Sequence, residues 1–160
     1  MNMTIVVDTG VLSAPTAKTG HREGDACRAW FEIQLASGAK CAVPEIADYE
    51  LRRELLRAGK VDSISRLNSF NATMQYVPLT TSAVRKAAEL WAQIRNQGQT
   101  TAPDDALDGD VLLCAQVLTT VWPSTSVVVA TTNVNRLSRF VTANVWRNIL
   151  PMDTNSPSQN

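Results

Sequence analysis

The sequence predicts an α/β fold built around a short, mainly parallel sheet. Two β-branched runs, Thr-Ile-Val-Val at 4–7 and SVVVAT at 126–131, are typical of buried strands, and each ends abruptly in a polar segment. The residues between them have mostly the apolar spacing of helices. Strands that alternate with helices favour a parallel sheet, because each parallel pair needs a crossover connection.

Local signals define the elements between these two strands. Pro44 suits a first helical position, Thr80 or Thr81 suits an N-cap, and Gly59 and Gly98 suit helix ends. The 80–96 helix is expected to bury Val84, Ala87, Ala88, Trp91 and Ile94, and the apolar segment 111–118 is expected to be buried all round. The predicted elements are helices at about 24–36, 44–58, 61–72, 80–96 and 111–118 and short strands at 41–43 and 76–79, with a polar loop at 99–110.

The composition indicates one globular domain. The chain has 160 residues, of which 44% are hydrophobic and 19% charged, and a chain of this length suits a single core. We expect one domain over residues 1–152 and a flexible tail over 153–160. No apolar stretch approaches the length of about twenty residues that crosses a bilayer, and the N-terminus lacks the pattern of a secretory signal. The sequence therefore predicts a cytoplasmic protein with no membrane segment.

Cysteine spacing argues against zinc, and the distribution of charge leaves an anionic partner possible. The three cysteines are far apart among apolar or small neighbours, which is typical of reduced core residues: Cys27, Cys41 and Cys114. The only histidine is His21, so a zinc site is not expected. Net charge is zero, but arginines cluster at 52, 53 and 57 in one predicted helix and at 136 and 139 in one predicted loop. Such clusters favour a local basic rim, and ordinary solvated helix faces are the alternative explanation.

Polar residues follow both principal strands. Asp8 ends the first run, and Thr131 and Asn133 lie at the end of the last one. In open α/β sheets, ligands bind beyond the carboxyl ends of the strands, so these residues are candidates for one site. Two explanations of Asp8 remain open at this point, because an Asp before Thr and Gly can be a metal ligand or can simply make a turn that ends the strand.

Four aspartates precede the apolar segment at 111–118, namely Asp104, Asp105, Asp108 and Asp110. A helix start favours one aspartate as a cap or as a complement to the helix dipole. Four acids are harder to explain in this way, because like charges repel unless a cation neutralises them. The cluster therefore makes metal binding more plausible.

Four segments together resemble the conserved blocks of a known family. The strings IVVDTGVLS, PEIADYELRREL, LDGDVLLCAQVL and VVVATTNVNRLSRF occur in this order over about residues 4–140. Their order and spacing resemble those of PIN domains, especially the VapC-type toxins. The resemblance implies a three-layer α/β/α fold, hydrolysis of RNA, and Mg²⁺ or Mn²⁺ bound by acids at the top of the sheet.

The resemblance also implies a set of acids. Asp8, Glu50 and Asp110 match the acids of the first three blocks, with Asp108 as a possible helper. Asp8 and Asp110 would hold the ion directly. Glu50, predicted to be partly buried, would hold a metal-bound water or accept its proton. Three acids can hold one hard cation through carboxylate and water ligands.

Other residues are implied as contacts to the substrate. Thr131 and Asn133, in the fourth block, would bind a metal water or a substrate phosphate, and Arg52 and Arg53 would form part of a basic rim. Many PIN domains carry a fourth acid three residues after the asparagine, where this chain has Arg136. We expect Arg136 to meet substrate instead, and the missing acid leaves open whether one or two metal ions bind.

The same resemblance implies partners and leaves alternatives. An RNA substrate, a small antitoxin protein and a homodimer with contacts around Trp30 and the 61–72 helix are expected. A PIN fold that binds RNA or protein without cleavage is one alternative. A phosphotransfer enzyme is another, although a dehalogenase-type enzyme would need an acid at Gly10, and a receiver domain would need a lysine after Lys86.

Overall fold

A computed structural model describes residues 2–98, 103–124 and 126–153. Its sheet has five strands in the order β3-β2-β1-β4-β5, and every described strand pair is parallel. The strands are β1 Met3–Val7, β2 Lys40–Pro44, β3 Gln75–Val77, β4 Ser126–Thr131 and β5 Ala143–Val145. The predicted α/β class with a short parallel sheet is confirmed. Of the predicted loop at 99–110 and tail at 153–160, residues 99–102 and 154–160 lie outside the described residues.

Helices connect the strands as expected for a parallel sheet. The α-helices are α1 Thr9–Leu12, α2 Arg22–Ala36, α3 Glu45–Arg57, α4 Val61–Thr73, α5 Thr81–Asn96, α6 Asp104–Thr119 and α7 Val134–Leu137. Short 3₁₀ turns occupy Ala14–Thr16 and Trp146–Asn148. Thr80 caps α5 by accepting a hydrogen bond from the amide of Ala83 at 3.1 Å, as its position predicts.

The side chains of β1 point alternately to the two faces of the sheet, and each face has its own hydrophobic core. Ile5 and Val7 belong to a cluster that includes Leu67 of α4, whereas Val6 belongs to a second cluster that includes Leu90 of α5. Successive strand residues point to opposite faces of a sheet, so each face is covered by its own helices. The three-layer α/β/α arrangement is confirmed.

The buried face of α5 differs from the predicted one. Val84 is 48% exposed and Trp91 is 37% exposed, and Ala88 is also exposed. Ala87 and Ile94 are buried, as predicted. Ala83 and Leu90 are buried in place of the residues that follow them. The buried stripe is therefore rotated in part toward the preceding residues, because α5 has more apolar residues than one stripe can hold. In α6, Leu118 is 46% exposed, so that helix is not buried all round.

The acid-rich segment 104–110 is helical, which corrects its assignment to a loop. Helix α6 begins at Asp104 after Pro103 and continues through Gly109. Acidic residues are favourable at a helix N-terminus, and Asp104 forms an ion pair with Arg95 of α5. Because residues two apart on a helix are about 200° apart, Asp108 and Asp110 point in different directions.

Two tryptophans and two cysteines lie in the cluster that contains Ile5 and Val7, namely Trp30, Trp146, Cys27 and Cys41. Trp30 packs edge-on against Phe31 and Trp146, with ring centroids 4.9 and 5.8 Å apart. Only 8% of Trp30 is exposed, so its own side chain offers little surface to the expected dimer contact. All three cysteines are buried and free, as predicted. None of the helices in the described part of the chain combines the length and hydropathy needed to span a membrane.

Candidate active site

The carboxyl ends of β1 and β4 bring Asp8 and Thr131 together. These strands pair in register, and the amide of Asp8 donates to the carbonyl of Ala130 at 3.0 Å. The Asp8 carboxylate accepts from the Thr9 amide at 2.8 Å and from the Thr131 hydroxyl at 2.7 Å. Asp8 therefore caps α1 as well as facing the crevice beyond the sheet, so the two explanations left open by its sequence are compatible.

Thr131 is completely buried, which changes its predicted contribution. Its Oγ1 donates to Asp8 and accepts from the amide of Asn133 at 3.0 Å. Asn133 itself is exposed. Because the hydroxyl of Thr131 is committed on both sides, this residue orients Asp8 and does not face a substrate phosphate directly.

Glu50 reaches the same end of the sheet from α3. The Thr9 hydroxyl donates to Oε1 of Glu50 at 3.0 Å. Thr9 therefore donates hydrogen bonds to both acids, through its amide to Asp8 and through its hydroxyl to Glu50. On the opposite side, a Cβ placed on Gly109 would lie 2.7 Å from Oε2 of Glu50. The carboxylate of Glu50 therefore fits between α1 and the backbone of α6.

Asp110 completes the group from α6. The pKa of its carboxyl is raised to about 6, mainly by burial and also by the negative charges of Asp8 and Glu50. Arg136 of α7 lowers this pKa, with its Nε 3.9 Å from Oδ2 of Asp110. The pKa of Glu50 is also raised by burial, against the hydrogen bond from Thr9. The charge of Asp8 thus disfavours the charged forms of Glu50 and Asp110, and the charge of Glu50 disfavours that of Asp110.

These acids suit a hard divalent cation by their chemistry. Carboxylate oxygens are the ligands that Mg²⁺ and Mn²⁺ prefer, and a bound cation would offset the mutual repulsion of the three groups. The side chains do not form a closed ligand set, since in residues 2–98, 103–124 and 126–153 no group of three Asp, Glu, His or Cys residues is arranged to hold an ion. Both oxygens of Asp8 accept hydrogen bonds instead. The donor types fit the metal, although in this structure the three side chains are not gathered around one ion position.

Two predicted site residues face elsewhere. Asp108 lines a groove between α5 and α6 together with Val84 and Trp91. Arg52 donates to Oδ1 of Asp48 at 2.9 and 3.2 Å and to the side chain of Asn68 at 2.9 Å. Neither residue has a described contact with Asp8, Glu50 or Asp110. The helical geometry of α6 explains the direction of Asp108, and pairing with a buried carboxylate explains that of Arg52.

Two arginines border the acids. Nη2 of Arg53 lies 3.9 Å from Oε2 of Glu50, and its guanidinium covers the ring of Tyr49 at 5.2 Å from the centroid. The side chains of Arg53 and Arg136 are 49% and 48% exposed. Arg136 lies in the short helix α7 and not in the predicted loop. The exposed side chain of Arg139 also acts on Asp110, because its positive charge lowers the pKa of that carboxyl. A local basic rim therefore exists on a chain of zero net charge.

Thr9 and Gly109 are functional candidates that the sequence reasoning did not single out. Each flanks a predicted acid, since Thr9 follows Asp8 and Gly109 precedes Asp110. A glycine inside a helix is a weak sign that another group approaches the helix backbone closely. The partner of both residues is Glu50, and no local pattern shows that contact.

Comparisons with known proteins agree with this fold. One chain of VapBC2 from Rickettsia felis, in a crystal structure bound to a DNA fragment from their promoter, superposes with a TM-score of 0.64 at 16% identity, covering 89% of this chain and 98% of that chain. A chain of DNA-bound VapBC from Salmonella typhimurium gives a TM-score of 0.63 at 15% identity, covering 90% and 98%. No curated protein matches. The sequence model of the PIN domain matches residues 5–119. This chain belongs to the PIN-domain family.

Proposed function

We propose that this protein is a metal-dependent endoribonuclease, the toxin of a toxin–antitoxin pair. The observation that carries the proposal is the convergence of Asp8, Glu50 and Asp110, from β1, α3 and α6, at the carboxyl end of the sheet. Membership of the PIN family supports a nuclease, and the fold similarity to chains of VapBC complexes supports the toxin assignment.

Asp8 and Asp110 would hold Mg²⁺ or Mn²⁺, with Glu50 as a third, water-mediated ligand. When bound, the ion supplies charge stabilisation at the attacked phosphate and lowers the pKa of a coordinated water. Thr131 orients Asp8, and Thr9 orients Glu50. Because burial raises the pKa of Glu50, its carboxylate is a better proton acceptor than an exposed one.

The exposed polar side chains around the acids would bind the RNA backbone. Arg53 and Arg136 border the acids on two sides, and Asn133 is exposed at the end of β4. Arginine guanidinium groups suit phosphate oxygens because they offer several donors in one plane. Arg136 would contribute positive charge where many relatives have a fourth acid, so we propose a single metal ion.

A protein partner and self-association follow from the toxin assignment. The solved neighbours are complexes named VapBC, which supports a small antitoxin as the partner of this chain. We also propose a homodimer. Since Trp30 is buried, the dimer contact would involve other apolar side chains, such as Val61, which is 77% exposed at the start of α4. A cytoplasmic location agrees with three free cysteines.

Purified protein tests the proposal directly. We expect wild-type protein to cut single-stranded RNA with Mn²⁺ or Mg²⁺ and the Asp8→Asn, Asp110→Asn double variant to be inactive. Circular dichroism should show that the double variant is folded. Wild-type cleavage by the double variant would refute the assignment of these acids.

A second candidate is a PIN domain that binds RNA or protein without cleavage. The contact between Arg136 and Asp110 favours it, because a guanidinium beside the carboxyl partly takes the place of a cation. Mn²⁺ titration beside turnover separates the two functions. Metal binding without cleavage of any RNA would support the second candidate.

A further inference from the structure

A cavity of about 580 Å³ opens next to the acids on the side of the first core. Gly10 and Thr132 line it, and these residues adjoin Asp8 and Thr131 in the chain. The volume lies within the range of about 300–1,000 Å³ that is typical of small-molecule sites. A strand of RNA that passes the acids would therefore meet this cavity within a nucleotide or so of the cut.

The rim of the cavity is cationic. Lys18 and Lys60 are exposed and line it. The one acid in the lining, Glu23, is ion-paired with Arg147 at 2.8 Å. The unpaired charge at the rim is therefore positive, which complements phosphate groups.

The floor of the cavity is apolar and one wall is held in place. Cys27, Leu51 and Trp146 form much of the floor, and each is less than 9% exposed. Along the wall, Nε of Arg66 donates to the carbonyl of Thr16 at 2.7 Å, and Nη2 of Arg28 donates to the carbonyl of Ala17 at 3.4 Å. A preformed apolar floor under a cationic rim suits a flat base with its phosphate outside.

We propose that this cavity receives one unpaired nucleotide of the RNA, with the base on the apolar floor and flanking phosphates at Lys18 and Lys60. This inference rests on the proposed function, because it takes RNA as the strand that passes the acids. It adds a recognition site, on the side of α2 and α4, to the arginines that border the acids. The cavity would select a single-stranded segment, since a paired base cannot turn out of its helix without cost.

Equilibrium binding tests the cavity apart from cleavage. The probe is a short fluorescent single-stranded RNA, and all variants carry Asp8→Asn so that RNA is bound without being cut. Lys18→Gln with Lys60→Gln should weaken binding about tenfold and reduce the salt dependence by about two counterions. Lys40→Gln is the matched control, because Lys40 is exposed at the amino end of β2, at the end of the sheet opposite the acids.

A second variant tests occupation of the cavity and not only its charge. Ala17 lines the cavity with an extended backbone that accepts a larger residue, so Ala17→Leu should fill space without unfolding the protein. We expect Ala17→Leu to weaken binding several-fold, and 4-thiouridine in the RNA to cross-link to peptides of the cavity floor in the Ala17 protein. Unchanged binding of Ala17→Leu, or cross-links confined to Arg53 and Arg136, would overturn the inference.

Wild-type cleavage, measured separately, distinguishes the two proposals. Cleavage with unchanged binding by the cavity variants overturns the cavity and leaves the nuclease assignment intact. Binding and cross-linking at the cavity without any cleavage supports the cavity and contradicts the nuclease assignment. Failure of the protein to bind or cut RNA would overturn both.

Discussion

Gly109→Ala tests whether the close approach of α6 to Glu50 matters for the site. The new Cβ would lie 2.7 Å from Oε2 and 3.2 Å from both Cδ and Oε1 of Glu50, whereas ordinary contacts begin at 3.4 Å. Cβ and Oε2 must therefore separate by about 0.7 Å. The carboxylate is the end of a flexible side chain, so we expect it to move while the backbone of α6 stays in place.

Stability and activity should change in opposite directions. Alanine is favoured over glycine within a helix by about 1 kcal/mol, so the variant should unfold at an equal or higher temperature. Misplacement of a catalytic group by about 1 Å can cost about a hundredfold in rate, so RNA cleavage should fall roughly ten- to a hundredfold. Mn²⁺ affinity should fall as well, because the carboxylate of Glu50 is displaced from its position between α1 and α6.

We would compare Gly109→Ala with the wild type by thermal unfolding, by Mn²⁺ titration and by cleavage of one RNA under the same conditions. Gly24→Ala serves as the stability control, because its Cβ would meet only the Cβ of His21, at 3.6 Å, within helix α2. If Gly109→Ala cuts RNA and binds Mn²⁺ as the wild type does, the position of Glu50 against α6 has no bearing on the chemistry.

Three further predictions concern the same site. Burial raises the pKa of Asp110 to about 6 from an ordinary value near 3.8, so the metal-free protein should lose stability as pH rises from about 4 to about 6. Asp110→Asn should flatten that part of the curve of melting temperature against pH, and an unchanged curve would contradict the assignment. Arg136→Glu adds an acid beside Asp110, and calorimetry should then detect a second Mn²⁺ per chain. If the variant still binds a single ion as the wild type does, Arg136 is not what limits the site to one metal ion. Thr131→Val leaves Asp8 without its hydroxyl donor and the amide of Asn133 without an acceptor, so unfolding free energy should fall by about 1–3 kcal/mol. Thr131→Ser should retain most of it, and equal losses in both variants would show that packing, and not the hydroxyl, is responsible.

Local patterns were sufficient for the architecture. The β-branched runs, the helical spacing and the caps predict strands and helices because these depend on neighbours within a few residues. The rule that ligands bind beyond the carboxyl ends of strands places Asp8 and Thr131 together, and β1 and β4 are adjacent in the sheet. Errors arose where two local patterns compete, as at α5, whose apolar residues exceed one stripe.

Patterns within short stretches of sequence predict the fold class, the buried free cysteines and the acids at the ends of strands and helices. Which of these side chains meet depends on the three-dimensional packing. Thr9 and Glu50 are 41 residues apart, and Asp8 and Thr131 are 123 apart, yet each pair shares a hydrogen bond. Such contacts depend on helix rotation and strand order, which no short window of residues contains. For the same reason, the sequence did not show that Asp108 and Asp110 point in different directions, although only Gly109 separates them. Their directions follow from the helical conformation of α6.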